Sequence, residues 1–243
     1  MSILWAVRHG QANIAGPDYD ILSPLGAVQA RALGTFMAHP DRRPDAVYSG
    51  PRLRQRDTAR HLIAGLVDAG APPPQEAPPL VALDEYPAEA IVRQSLPALK
   101  ASHPELLAAF STGAGGGLGG VGDPSRDRRA FEHLFRLSMD RWLSGALAHP
   151  EIETFAAFAG RVRTALRQIM AAEGARRRVV VVTSAGPVSI AAQLGLAVPA
   201  HGLDAPLGAD AAPLGGPSDA AALRLSWVIA NASITELRYR GGG

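Results

Sequence analysis

The chain of 243 residues has no cysteine, and Lys100 is the only lysine among its 24 basic residues. The lack of cysteine excludes disulfide bonds, thiolate metal sites and a cysteine nucleophile. The formal net charge is only +2, so overall charge does not point to a polyanionic partner. Arginine suits bidentate recognition of phosphate, but its spread along the whole chain carries no functional weight by itself.

The sequence also lacks a clear membrane or secretory segment. Residues 179–203 are uncharged, but Thr183 to Pro187 divide them into a β-branched block and an Ala/Leu block, as expected for a buried strand followed by a helix. The N-terminus has no basic leader, and its short apolar run ends at Arg8. We therefore expect a cytoplasmic protein without a membrane partner.

With 47% hydrophobic and 19% charged residues, the composition is that of a globular protein. The length is suited to one α/β domain over residues 1–243. Apolar patterning predicts strands at 3–7, 46–48, 80–83, 179–182, 223–229 and 234–239, the last two forming an antiparallel edge pair. It predicts helices at 27–37, starting from Ser23-Pro24, at 53–67 and at 153–172.

The alternation of strands and helices predicts a three-layer α/β fold with a mostly parallel, doubly wound sheet. Residues 71–79 are rich in proline and are interpreted as a linker or surface loop. After the third predicted strand, residues at approximately 87–150 are expected to form an inserted helical cap, interrupted by a glycine-rich loop at 113–122. A second loop is expected at 199–220.

Polar side chains follow the ends of four predicted strands, where ligands bind in open α/β sheets. They are Arg8, His9, Ser49, Arg54, Glu85, Thr183 and Ser184. A histidine can attack phosphorus and hold it covalently, and arginines can neutralise the phosphoryl oxygens. A carboxyl group can protonate the departing oxygen, and the helix that begins near Gly186 offers free N–H groups. This set of residues therefore predicts phosphoryl transfer.

Three sequence elements resemble those of the histidine phosphatase (phosphoglycerate-mutase-like) superfamily. VRHGQ at 7–11 resembles its RHG signature, and LSPLG at 22–26 with QA at 29–30 is similar to its LTxxGxxQA element. VYSGP at 47–51, with Arg54 and TA at 58–59, resembles its SPLxRAxQTA element. The resemblance runs through nearly the whole chain in order.

This resemblance implies a role for each matching residue. His9 is the nucleophile, Arg8 and Arg54 hold the phosphoryl group, and Glu85 donates the proton to the leaving oxygen. The residues implied to bind phosphate are Arg8, Gln11, Arg54, Ser184 and the backbone of Ala185. No metal ion and no organic cofactor is implied.

The fourth element departs from the family pattern, because TSAG at 183–186 stands where the family reads SHGG. Ser184 therefore occupies the position of the second histidine, which normally donates to the transferring oxygens. A serine hydroxyl gives one neutral hydrogen bond, and losing a transition-state donor typically costs about 100- to 1000-fold in turnover. His201 in the late loop is a candidate replacement, with a solvated loop histidine as the alternative.

Other assignments remain open from the sequence. Asp84 and Glu89 are rivals to Glu85 as proton donor. Six arginines at 161–178 could be taken for a nucleic-acid stripe, but they lack aromatic neighbours, so we favour a solvated helix face and no nucleic-acid partner.

The function predicted from the sequence is metal-independent hydrolysis of phosphomonoesters through a phosphohistidine at His9. The expected substrate is a phosphorylated small molecule or a phosphoprotein. One alternative is a pseudophosphatase that binds phosphorylated ligands. Ser184, in place of the second histidine, is the observation that suggests it. A phosphoglycerate mutase fits less well, because YPAE follows Glu85 in place of an ERHYG-like run.

Overall fold

The computed structural model describes residues 1–13, 19–104, 124–196 and 219–240. The strands in this part of the chain are β1 Ser2–Arg8, β2 Ala46–Ser49, β3 Gln75–Glu76, β4 Arg178–Thr183 and β5 Ile234–Tyr239. The helices there are α1 Pro24–Met37, α2 Leu53–Asp68, α3 Ala88–Ser102, α4 Pro124–Leu143, α5 Phe155–Glu173, α6 Ala185–Leu196 and α7 Asp219–Leu225. A single 3-10 turn spans Val81–Leu83.

The five strands form one mixed sheet in the order β3-β2-β4-β1-β5. The first four are parallel, and β5 is antiparallel to β1 at the edge. The predicted α/β fold with a mostly parallel sheet and flanking helices is therefore confirmed. In the β1–β4 pair Arg8 faces Thr183, so His9 and Ser184 follow side by side at the carboxyl edge.

The central strands β1 and β4 are buried on both faces, as the valine-rich run of β4 predicts. Trp5 and Val7 on β1 pack in one cluster with Val180 and Val182 on β4 and with apolar side chains of α1 and α2. The alternate residues of β1 are also buried, and α6 packs against β1 and β5. This double cover fixes the register of the central strands and hence the position of the residues that follow them.

The third strand was predicted at the wrong place. Residues 80–83 form the 3-10 turn, in which Leu83 is buried and Val81 is 75% exposed. The strand is instead Gln75–Glu76, within the segment interpreted as a linker, and it pairs with β2 through Ala46 and Val47. Two exposed polar residues give no apolar alternation, so only backbone pairing defines this strand.

The strand predicted at 223–229 was also wrong. Helix α7 ends at Leu225 and a turn follows, with Leu223 and Ser226 buried but Trp227 and Val228 exposed. The three-residue spacing of the buried positions is helical, whereas a strand would bury every second residue. The second strand of the predicted pair, β5, is present and forms its edge pairing with β1.

The chain divides into two compact units, Met1–Glu85 with Ala159–Gly243, and Tyr86–Phe158. The second unit contains α3 and α4 and has an aromatic cluster of Tyr86, Trp142, Phe155 and Phe158. The Trp142 ring lies 5.3 Å from that of Tyr86 and 5.2 Å from that of Phe155, between centroids. The sequence predicts that this helical insertion is a cap, and that role stays a prediction.

The predicted glycine-rich loop at 113–122 and most of the loop at 199–220, including His201, lie outside the described residues. Among the helices that are described, none is both long and apolar enough to cross a membrane.

Candidate active site

The candidate site lies at the carboxyl ends of β1, β4 and β2, which are neighbours in the sheet. The His9 N–H donates to the Thr183 carbonyl at 2.8 Å, and the Gly50 N–H donates to the Val182 carbonyl at 2.9 Å. These bonds continue the strand pairing past the last strand residues. The sheet therefore brings His9, Ser184 and the start of α2 to one edge, as expected from their positions after the strands.

The imidazole of His9 is held in one tautomer by its neighbours. Its Nδ1 lies 2.7 Å from the Gly10 carbonyl oxygen, which can only accept, so Nδ1 carries the hydrogen. Its Nε2 accepts a hydrogen bond from Arg54 Nε at 3.2 Å. The lone pair of His9 is therefore on Nε2, on the side of the Arg54 guanidinium.

The same surroundings keep His9 neutral. Only 3% of the residue is exposed, and this burial is the main cause that lowers the pKa of His9 to about 3. The positive charges of Arg54 and Arg8 lower it further, while the hydrogen bond to Gly10 opposes them. At neutral pH the imidazole is therefore uncharged, with its lone pair on Nε2 directed to Arg54, and the neutral ring is the form that a nucleophile requires.

The side chain of Arg54 is 7% exposed and is divided between two partners. Its Nε contacts His9, and its Nη1 forms an ion pair with Asp20 Oδ1 at 2.7 Å. The other oxygen of Asp20 accepts from the Leu53 N–H at 3.1 Å, at the start of α2. Asp20 thus binds an arginine and a helix N-terminus together, as a phosphate group would.

Arg8 is anchored on the other side of His9. Its Nη1 donates to the carbonyl of Ile229. Among the residues that the structure describes, its buried Nε has no hydrogen-bond partner. Asn231 Nδ2 donates to the His9 carbonyl at 3.0 Å, so the turn before β5 holds both residues of the Arg8-His9 pair.

The loop after His9 is fixed by hydrogen bonds from the first two helices. The Gly10 N–H donates to Thr58 Oγ1 at 3.0 Å, and the Gln11 N–H donates to Gln29 Oε1 at 2.9 Å. The Gln11 side chain accepts from Ser23 Oγ at 3.0 Å. The structure therefore places Gln11 next to His9 in the chain but ties its carboxamide oxygen to the start of α1.

Glu85 lies at the N-terminus of α6. Its Oε2 accepts from the Gly186 N–H at 3.1 Å, where a negative charge is favoured by the helix dipole. Its rival Asp84 binds Arg52 Nε at 2.7 Å, and the side chain of the other rival, Glu89 in the second unit, is 94% exposed. Of the three candidate carboxylates, Glu85 is the one that lies at the N-terminus of α6, next to Ser184 and Ala185.

Ser184 is 1% exposed and stands directly before α6. Its Oγ accepts a hydrogen bond from Gln55 Nε2 at 2.8 Å, and Gln55 is fully buried. The next residue, Ala185, is the first of the helix and is also buried. The sequence indicated both positions but gave no sign that Gln55 contacts Ser184.

Two arginines expected on a solvated helix face are bound within the first unit instead. Arg161 Nη1 donates to the carbonyls of Ala82 and Asp84, each at 2.9 Å, and Arg163 Nη2 donates to Gln193 Oε1 at 2.6 Å. Arg161 thus supports the backbone that carries Glu85. Within the described ranges, no group of three or more His, Asp or Glu side chains is arranged to hold a metal ion.

Comparisons with known proteins agree with this fold. Residues 4–114 match the family model of the histidine phosphatase superfamily (branch 1). No curated protein matches the chain significantly. A mycobacterial glucosyl-3-phosphoglycerate phosphatase in complex with VO3 is 20% identical, with a TM-score of 0.51 over 96% of this chain and 90% of the other.

A phosphoglycerate mutase from Bacillus anthracis str. Sterne is 16% identical, with a TM-score of 0.53 over 98% of this chain and 88% of the other. The fold is accordingly that of a phosphoglycerate-mutase-like α/β protein. The sequence match to the histidine phosphatase superfamily covers residues 4–114, which is less than half of the chain.

Proposed function

We propose that this protein is a metal-independent phosphomonoester hydrolase that acts through a phosphohistidine at His9. The observation that carries the proposal is the buried, neutral imidazole with its Nε2 lone pair beside Arg54. A neutral imidazole can form a bond to phosphorus, and an adjacent guanidinium stabilises the charge on the phosphoryl oxygens. The two arginines supply the positive charge that the reaction needs.

In the first step of the proposed reaction, His9 Nε2 attacks phosphorus and the bond to the ester oxygen breaks. Glu85 enters this step in its protonated form and gives its proton to the departing alkoxide, which yields an alcohol, a Glu85 carboxylate and a phosphohistidine. In the second step Glu85 takes a proton from water, whose oxygen attacks phosphorus. The bond to Nε2 breaks, inorganic phosphate leaves, and His9 returns to its neutral form.

Arg8, Gln11, Ser184 and the backbone of Ala185 complete the phosphate site in this proposal. Because Arg54 is paired with Asp20, an incoming phosphoryl group shares or replaces that carboxylate. We propose the same substrate classes as the sequence indicated, a phosphorylated small molecule or a phosphoprotein, with selection by the helical unit.

A phosphate-binding pseudophosphatase is the second candidate. Two observations favour it: Ser184 replaces the second histidine, and the Asp20 carboxylate already neutralises Arg54. Such a module would bind phosphorylated ligands with negligible turnover. The intact nucleophile and its single tautomer favour the hydrolase, since binding alone does not require a reactive imidazole.

Hydrolysis of p-nitrophenyl phosphate by the purified, metal-free protein tests the choice. We expect turnover that is lost in His9→Ala but kept in His39→Ala, a control on an exposed histidine. Rapid quenching in alkaline denaturant should trap an acid-labile phosphoenzyme in the wild type and in His39→Ala but not in His9→Ala. Phosphate binding without turnover or phosphoenzyme would overturn the hydrolase proposal in favour of the pseudophosphatase.

A further inference from the structure

We propose that Gln55 is a positioning residue that makes the Ser184 hydroxyl a hydrogen-bond donor to the transferring phosphoryl group. The inference rests on the proposed function and deepens it, because it names what stands in for the second histidine. Gln55 is fully buried on the first turn of α2, where its carboxamide lies between Arg52 and Ser184. Its side chain joins the starts of two helices at the edge of the sheet.

The orientation of the Gln55 carboxamide is fixed at one end. The Arg52 backbone N–H lies 3.1 Å from Oε1 and can only donate, so the atom that faces it must be the oxygen. The amide nitrogen then points to Ser184 Oγ at 2.8 Å. A flipped carboxamide would place two donors against each other and is excluded on this ground.

This orientation determines what the Ser184 hydroxyl can do. Because the Gln55 nitrogen only donates, Ser184 Oγ is the acceptor of that bond and keeps its own hydrogen for another partner. Within the part of the chain that the structure describes, Ser184 Oγ donates to no other residue. Strand pairing places Ser184 next to His9 at the edge of the sheet, so a phosphoryl oxygen bound to His9 is a suitable acceptor.

A glycine makes room for this arrangement. A Cβ at Gly50 would lie 2.2 Å from Gln55 Oε1 and 2.9 Å from the Leu83 carbonyl oxygen, so any side chain there would displace the carboxamide. Gly50 directly follows β2 and occupies the second position of the SGP run. The close approach of Gln55 therefore depends on a residue without a side chain at the end of the strand.

The pair supplies a weaker donor than an imidazolium but one that is already oriented. A neutral hydroxyl gives about half the strength of a charge-assisted hydrogen bond. Fixing its lone pair to Gln55 restricts the rotation of the hydroxyl before substrate arrives, which reduces the reorganisation needed in the transition state. We therefore expect Gln55 to act on turnover through Ser184 and to have little effect on the binding of substrate.

A double-mutant cycle with p-nitrophenyl phosphate tests the inference. We expect Ser184→Ala to lower kcat about 100-fold and Gln55→Met about 10-fold, with KM changed by less than about twofold. In the double variant we expect the kcat of Ser184→Ala alone. The matched control is Gln193→Met, which removes another buried, hydrogen-bonded glutamine and should leave kcat unchanged.

The variant Gln55→Glu distinguishes the two roles of the Gln55 side chain, which accepts from the Arg52 N–H at the helix start and donates to Ser184. It keeps an acceptor for the Arg52 N–H, but its ionised carboxylate accepts the Ser184 hydrogen and withdraws it from the phosphoryl group. We expect a loss of kcat at least equal to that of Gln55→Met. If the kcat losses of Gln55→Met and Ser184→Ala multiply in the double variant, the two residues act independently and the inference is overturned. Full activity in Gln55→Glu would also overturn it.

If the wild type shows no turnover that depends on His9, the proposed hydrolase fails and orthovanadate binding decides the inference instead. We then expect Ser184→Ala and Gln55→Met to weaken vanadate binding without additivity. Binding that is unchanged in both variants, or losses that multiply, would overturn the role of Gln55 by itself.

Discussion

Burial and two neighbouring arginines all lower the pKa of the His9 imidazole. Each disfavours a second proton, and together they outweigh the hydrogen bond from Nδ1 to Gly10. The result is a pKa of about 3, against 6.5 for an unperturbed histidine. The residue is thus ready to act as a base throughout the neutral range, at a cost to stability in acid.

This cost gives a pH-dependent prediction. Below pH 6.5 the unfolded chain takes up a proton at His9 that the native state does not bind until about pH 3, so acid favours unfolding. Between pH 7.5 and 5.5 the wild type should lose about 1.4 kcal/mol more free energy of unfolding than His9→Gln. Urea denaturation of both proteins at the two pH values measures this difference in the free energy of unfolding. Equal losses would show that His9 is not kept neutral by folding.

The positions of the candidate site residues at the edge of the sheet were predictable from the sequence, whereas their hydrogen-bond partners were not. His9, Arg54 and Ser184 stand directly after strands or in the turn that follows, where position in the chain determines position at the edge of the sheet. Asp20 and Gln55 reach their partners across 34 and 129 positions. Such contacts depend on side-chain direction in the folded state, which apolar periodicity does not encode.

At the scale of elements, α1 and α2 approach closely enough for their backbones to touch. A Cβ at Gly34 would lie 2.0 Å from the Leu62 carbonyl oxygen, and one at Gly65 would lie 2.1 Å from the Arg31 carbonyl oxygen. Each helix thus has a glycine at the contact with the other. This contact joins the C-terminal halves of the two helices.

Gly34→Ala should therefore lower the free energy of unfolding by about 1 to 3 kcal/mol, since a methyl group forces two backbones apart. The control is Gly160→Ala in α5, where a Cβ meets nothing within 4 Å. There the better helix propensity of alanine should raise stability by up to about 1 kcal/mol. Urea denaturation of the wild type and the two variants measures these changes. A lower free energy of unfolding in both variants would mean that replacing a helical glycine is destabilising wherever it lies, and that the contact between α1 and α2 is not the cause.

Most elements with a clear apolar pattern were predictable, and two short apolar runs were not. The predicted helix at 53–67 and strand at 179–182 agree with α2 and β4 to within a residue at each end. The errors at 80–83 and 223–229 concern short apolar runs, where a turn, a helix and a strand have similar composition. In these runs tertiary burial, of Leu83 and of Leu223, decided the local structure.

At the scale of the whole molecule, the chain forms two units with separate clusters of buried side chains. The first is built on the sheet, with Val180 and Val182 at its centre. The second has its own aromatic cluster, in which Trp142 is 1% exposed and donates from Nε1 to the Glu153 carbonyl at 2.7 Å. Compact units of one chain can open with different free energies, because local opening exposes mainly the contacts within the unit that opens.

Trp142→Ala should therefore loosen the second unit without unfolding the sheet. Truncation of a buried tryptophan typically costs about 3 to 5 kcal/mol, enough to raise local opening of α3 and α4 by at least about 100-fold. Hydrogen exchange should show lost protection in these helices and unchanged protection in β1 and β4. Val181→Ala, in the buried face of β4, is the matched control and should give the reverse pattern. Equal loss of protection in both units after Trp142→Ala would mean that the chain opens as one cooperative body, and the insertion would then be integral to the stability of the sheet.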